Sequence, residues 1–128
     1  MFKAIKTAAD IEEFIHKTND LHDGYVIGVQ YANKGITAVP HGHQFDFRKT
    51  RLTIQILVTS INDTVVELEF EDLREWQVRD NQWDMVTTTV LFDEKGWIIW
   101  TNDQFVNMEE LKNSSYAIAR SMKWRIVE

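Results

Sequence analysis

The stretch Arg51–Asp72 reads RLTIQILVTSINDTVVELEFED, and its period decides the fold. Leu52, Ile54, Ile56 and Val58 occupy every second position, and Val66, Leu68 and Phe70 do so again after the break. Glu67, Glu69 and Glu71 fill the positions between the second set. A period of two belongs to an extended strand with one buried and one wet face. Asn62-Asp63 stands between the two halves, and such residues tolerate the backbone of a tight reversal. The segment therefore predicts an antiparallel hairpin.

The pattern extends on both sides. In YVIGVQYAN, the alternation puts Tyr25, Ile27, Val29 and Tyr31 on one face and Val26, Gly28, Gln30 and Ala32 on the other. Before it, Thr7 and Asp10 form a capping box with Asp in place of the usual Glu or Gln. The helix that follows presents Ile11, Phe14 and Ile15 on one side and Glu12, Glu13 and Lys17 on the other, ending near Asn19 or Asp20 ahead of a turn at Asp23-Gly24. Downstream, a short strand near Trp76 and Val78 leads to a polar turn at Asp80–Gln82. MVTTTVLFD and WIIWT make a second hairpin around Asp93–Gly96, with branched threonines favouring strand. Asn107 and Glu110 cap a short helix over MEELK. The closing stretch alternates Tyr116, Ile118, Met122, Trp124 and Ile126 against Ala117, Ala119, Ser121, Lys123 and Arg125. The expected fold is α+β: a mostly antiparallel, strongly curved six- or seven-stranded sheet, open or barrel-like, with a packed N-terminal helix and a short helix before the last strand. With no repeat, linker or low-complexity tract, residues 1–128 read as a single domain.

Composition bounds the function. A content of 44% hydrophobic residues, with five tryptophans, suffices for a packed core. The absence of cysteine excludes disulfides, thiol nucleophiles and thiolate metal sites. The N-terminus MFKAIKTAADIEEF lacks a signal-like apolar run, and no segment approaches the length needed to span a bilayer, so a cytoplasmic, non-membrane protein is expected. A net charge of −6 disfavours nucleic acid and suits a basic or neutral protein partner or a small ligand. No glycine-rich phosphate loop, nucleophile elbow or HExxH pair is present. No cofactor is expected, and exposed strand edges are compatible with a homodimer.

Five features carry chemistry. The first is GITAVPHGHQFD, Gly35–Asp46. Two histidines at i and i+2 on one strand face the same side and can grip one metal ion. Gly35, His41 and His43 resemble the opening of the first metal motif of cupins, which are double-sheet barrels. That resemblance implies a metal-dependent enzyme using His41 and His43; Asp46 is the nearest further candidate donor, but it stands earlier than the family's acidic ligand. The pattern then departs from the family: Phe47 and Arg48 stand where its glutamate belongs, and no third histidine follows His43. Pro40 and Gly42 instead favour an exposed loop. The second feature is His22-Asp23, a paired histidine and carboxylate of the kind that seeds a general base. No recognisable hydroxyl nucleophile accompanies it, and bonding to turn amides is the expected role. The Leu-His-Asp triplet leading into an alternating strand, together with the closing MKWRI, resembles small bacterial proteins, some of them immunity proteins of toxin systems. This resemblance implies a stoichiometric binder that neutralises a partner protein, with no catalytic residues.

The third feature is the acidic ladder Glu67, Glu69, Glu71, extended by Asp72. It reads either as a wet face with Lys or Arg across the sheet or as a patch that steers a basic partner. Fourth, FDFRKTR interleaves Phe45 and Phe47 with Arg48, Lys49 and Arg51; the alternation predicts two core phenylalanines rather than a nucleic-acid clamp. Fifth, small residues at Gly28, Ala32, Ala117 and Ala119 predict a close approach of the N-terminal helix, or else a ligand cavity anchored by Gln30. In the first case Gly28→Val would destabilise the fold. Three functions follow in order: a non-catalytic protein-binding module, immunity-like in character; a small-ligand carrier within a curved sheet or barrel; and a cupin-like metal enzyme.

Overall fold

The computed structural model describes residues 1–79 and 85–127; the turn expected at Asp80–Gln82 lies outside them. In chain order the elements are β1 (Lys3–Ala4), α1 (Ala8–Lys17), β2 (Gly24–Asn33), β3 (Ile36–Val39), β4 (Gly42–Phe45), β5 (Thr50–Val58), β6 (Thr64–Gln77), β7 (Thr89–Phe92), β8 (Ile98–Thr101), α2 (Met108–Leu111) and β9 (Tyr116–Val127). The hairpin read from Arg51–Asp72 forms: β5 and β6 pair antiparallel, from Arg51 opposite Glu71 to Val58 opposite Thr64. Asn62 and Asp63 reverse the chain with φ of 59° and 54°, a left-handed conformation that Asn and Asp adopt more readily than most residues.

This hairpin sits inside a seven-stranded sheet of order β2-β5-β6-β9-β8-β7, with β1 added to β9. The class, the antiparallel pairing and both helices agree with the sequence reading. The barrel and the strong curvature do not: the sheet is neither closed nor strongly curled. Closure would require β2 to pair with β7, and these strands stand at opposite ends of the order. The separate strand expected near Trp76 is instead the end of β6, which continues through a bulge between Leu73 and Glu75. None of the described helices is long and apolar enough to cross a membrane.

One face of the sheet carries the core. Leu52, Ile54, Ile56, Val58, Val66, Leu68 and Phe70 are fully buried there, and α1 covers them. Its start follows from sequence: the Thr7 hydroxyl accepts from the Asp10 amide at 3.2 Å, and the Asp10 carboxylate accepts from the Thr7 and Lys6 amides at 3.0 and 2.9 Å. The capping box thus forms with Asp in the Glu position. Phe14 meets the Trp124 ring edge-on at 5.4 Å between centroids, and Ile11 and Ile15 pack beside it.

Glu13, on the helix flank, takes ion pairs from Lys3 of β1 at 2.8 Å and from Lys17 at 2.9 Å. Hydrogen bonds from Lys3 and then Lys17 hold its carboxyl down to about 2. A carboxyl depressed on folding stabilises fully above its unfolded value and loses that contribution as pH falls through its folded value. The contribution of Glu13 should therefore fade between the ordinary value of 4.5 and about 2. Urea midpoints measured across this range should fall less steeply for Glu13→Gln than for the parent chain.

Two irregularities change which residues share a face. A bulge between Val26 and Gly28 leaves Ile27 without a cross-strand partner. Before it Val26 lies opposite Ile56; after it Val29 and Tyr31 lie opposite Ile54 and Leu52, on the core side. Gly28, Gln30 and Ala32 oppose Gln55, Thr53 and Arg51 on the wet side. Tyr25, Ile27, Val29 and Tyr31 therefore do not share one face, because the extra residue resets the alternation. In β9 the change falls between Ala119 and Met122, across from Asp72, whose φ is 58°. Ala117 and Ala119 join Met122 and Trp124 in the main core, while Tyr116 and Ile118 pack with Ile99 and Leu111 in a second cluster. The expectation that Tyr116 and Ile118 would side with Met122 is corrected by this shift.

Candidate functional site

The wet face of the sheet gathers the acidic ladder. Glu67 lies between Gln55 of β5 and Arg125 of β9, Glu69 between Thr53 and Lys123, and Glu71 between Arg51 and Ser121. Arg125 reaches Glu67 at 3.1 Å, and the Gln55 amide donates to the other Glu67 oxygen at 2.9 Å. Arg51 pairs with Glu69 at 3.0 Å and approaches Glu71 at 3.8 Å. Lys123 stands 3.8 and 3.7 Å from the same two carboxylates. Glu67 and Glu69 are only 7% exposed, so the pairs are needed to offset their desolvation. The ladder holds three strands in register and is neutralised by cations on both sides. Asp72 leaves it, at the point where the strands change face.

The Phe2 ring caps this network, lying 4.5 Å from the Arg125 guanidinium and 4.9 Å from the Lys123 ammonium. Beside it opens a basin of about 650 Å³, lined by Gly28, Gln30, Thr53, Gln55 and Arg51 among others. Gln30, read from the sequence as a ligand anchor, does line this cavity. The helix does not approach here, because α1 lies on the opposite, apolar face with Phe14. Ala117 and Ala119 are not neighbours of β2 either: they face Trp100 and Ile98 of β8 and accommodate those bulky residues.

His22 and Asp23 serve the turn between α1 and β2. Asn19, Asp20, Leu21 and Asp23 all adopt left-handed backbone, with φ between 50° and 60°. Asp20 pins this turn by accepting from the Thr87 hydroxyl at 2.5 Å and the Thr88 amide at 3.1 Å. The Asp23 amide donates to the Met85 carbonyl at 2.7 Å. The His22 ring places Nδ1 2.8 Å from the Val86 carbonyl, which makes Nδ1 the donor. Nε2 lies 3.6 Å from an Asp23 carboxylate oxygen. The nearby Ser60 hydroxyl donates to the His22 carbonyl at 2.5 Å rather than to the ring. The geometry is that of a structural knot.

The segment with His41 and His43 is a hairpin rather than a loop. Ile36 pairs with Phe45 and Val39 with Gly42, leaving Pro40-His41 as the turn. His41 sits in that turn and His43 on β4 opposite Ala38, so the two do not share a strand face as the cupin motif requires. Asp46 is bound to the Arg48 guanidinium at 3.0 and 3.2 Å, which lowers its carboxyl from the ordinary value. Among the described residues, no three histidine, aspartate or glutamate side chains come together in a metal-binding group. Phe45, expected in the core, is 54% exposed.

A different feature stands out at the sheet margin. Among the described residues, β2 has one strand neighbour, β5, and its outer side is bridged only at Gly24, by Met85. Its ten residues, GYVIGVQYAN, contain no charge and no proline. Tyr25, Ile27, Val29 and Tyr31 are 42–53% exposed. Edge strands normally carry lysine, proline or an inward charge that blocks further pairing; among the described residues, the bulge and the Met85 bridge at Gly24 are what interrupt this edge. The lack of charge was visible in sequence, but the edge position was not, because it depends on where β5, β6 and β9 pair. No family model, curated protein or solved structure matches this chain.

Proposed function

We propose that the protein is a non-catalytic protein-binding module that takes up an extended segment of a partner protein as an added strand along β2. The observation that carries this reading is the ten-residue uncharged edge with four large apolar side chains exposed. Strand addition draws affinity from main-chain hydrogen bonds and specificity from alternate side chains. The neutralised ladder leaves Glu67, Glu69 and Glu71 as framework, with Asp72 turned out of it, and the net charge of −6 still favours a neutral or basic segment over an acidic one. An immunity-like role, blocking a partner one-to-one, belongs to the same reading. A second reading, carriage of a small polar ligand, has the basin beside Gln30 in its favour, since its size falls within the range of ligand sites.

The test is selection from a random-peptide display library against the immobilised chain, counter-screened with Ile27→Lys. Peptides that lose binding to Ile27→Lys and slow amide exchange along β2 support strand addition. Peptides that bind both forms equally, or that protect the ladder face instead, would sink it.

A further inference from the structure

We infer that the segment β2 takes up is β2 of a second copy of this chain, so that two sheets join across a two-fold axis; this rests on the strand-addition reading above. Each chain carries a net charge of −6, which opposes association over most of its surface. On β2 that opposition is absent, because none of its ten residues is charged. Two copies can meet there without placing like charges opposite each other. An antiparallel strand pair is also its own complement, so the contact is isologous and closes at two subunits. Pairing β2 with the other edge, β7, would match the longer strand against only four residues and leave another β2 free to add further copies, an open chain rather than a closed pair. The self-contact is the better fit.

The hairpin arm strengthens the choice of occupant. β3 and β4 pair only with each other in a separate two-stranded sheet beyond the end of β2. Ile36 and Phe45 stand directly opposite on this arm and are 53% and 54% exposed. With Gly24 already bridged by Met85, two antiparallel β2 strands pair over the residues that follow it, and the arm that continues one strand past Asn33 projects toward the Gly24 end of the other copy. The exposed pair then has a second subunit to lie against. This enlarges the contact toward the roughly 1,200 Å² or more that stable interfaces bury.

The experiment combines sedimentation velocity with amide hydrogen exchange on the full, untagged chain, each at low and high concentration. Ile27→Lys and Val29→Lys are the variants. Ile27 has no cross-strand partner in the bulge, so its replacement leaves the core pairing intact, and circular dichroism checks that both variants fold. The expected result is a concentration-dependent doubling of mass, protection of β2 amides only at high concentration, and dimer dissociation constants raised at least about 10-fold by each lysine. A chain that stays monomeric at concentrations on the order of 500 µM overturns the inference. So does a dimer that forms without protecting β2, whatever the variants do. The strand-addition reading fails separately. A monomer that still binds β2-directed peptides retains it with a foreign partner. A monomer whose outer β2 amides are protected at every concentration removes both.

Discussion

Replacing Phe14 with alanine should lower the unfolding free energy by about 3–5 kcal/mol, the range for deleting a fully buried aromatic side chain. Phe14 is the one fully buried residue of α1, and its ring meets Trp124 at 5.4 Å. Ile11 and Ile15 are only partly buried beside it. The helix therefore depends on this contact for most of its grip on the sheet. Truncation leaves a cavity over Trp124 that flanking residues cannot fill without moving the helix. A domain of this size has about 5–15 kcal/mol in total, so the urea midpoint should drop sharply at unchanged slope. A loss under about 1 kcal/mol would show that α1 repacks and that the sheet is stable without this anchor.

The second large effect is expected at a glycine. A Cβ on Gly24 would stand 2.7 Å from the Leu21 carbonyl oxygen and 2.9 Å from a methyl of Ile56. Neither neighbour can yield: Leu21 is locked in the left-handed turn, and Ile56 lies in the core. Gly24→Ala should cost about 1–3 kcal/mol, the range for overpacking. At Gly28 the nearest atom to such a Cβ is the Gln55 amide oxygen at 3.1 Å, the far end of a side chain bordering the open basin. Gly28→Ala should change stability by no more than about 0.5 kcal/mol. Thermal melting of the two variants side by side checks the contrast. Equal losses would mean that the basin floor is as tightly packed as the turn.

That contrast also shows what the sequence could and could not tell. Gly28 and Ala32 pointed to a close approach of the helix that does not occur, since the helix lies on the other face; the tight contact of β2 is at Gly24, which the sequence marked only as a turn. The displacement has a local cause. One unpaired residue, Ile27, resets the alternation of β2, and the left-handed Asp72 accompanies the same change in β9. A period of two survives only where no residue is inserted, as it does in β5 and in the first part of β6. The capping box at Thr7 and Asp10 was legible for the same reason, since it depends on four consecutive residues. The ladder was half legible. Its three glutamates alternate along one strand, but Arg51, Lys123 and Arg125 reach them only through the pairing of β6 with β5 and β9. Pro40 and Gly42 marked a reversal, and their turn chemistry fits a hairpin as well as a loop.

At the base of the arm, the Lys34 amide donates to the Lys49 carbonyl at 2.9 Å, and the Asp46 amide to the Gly35 carbonyl at 2.9 Å. The two chain ends are therefore clasped before the arm begins. Whatever lies beyond the clasp meets no further demand from the sheet, and the entropy of closing a longer excursion grows only slowly with its length. The arm's reach is thus an adjustable dimension: residues added or removed at Pro40-His41 would alter how far it projects while the seven-stranded body keeps its pairing.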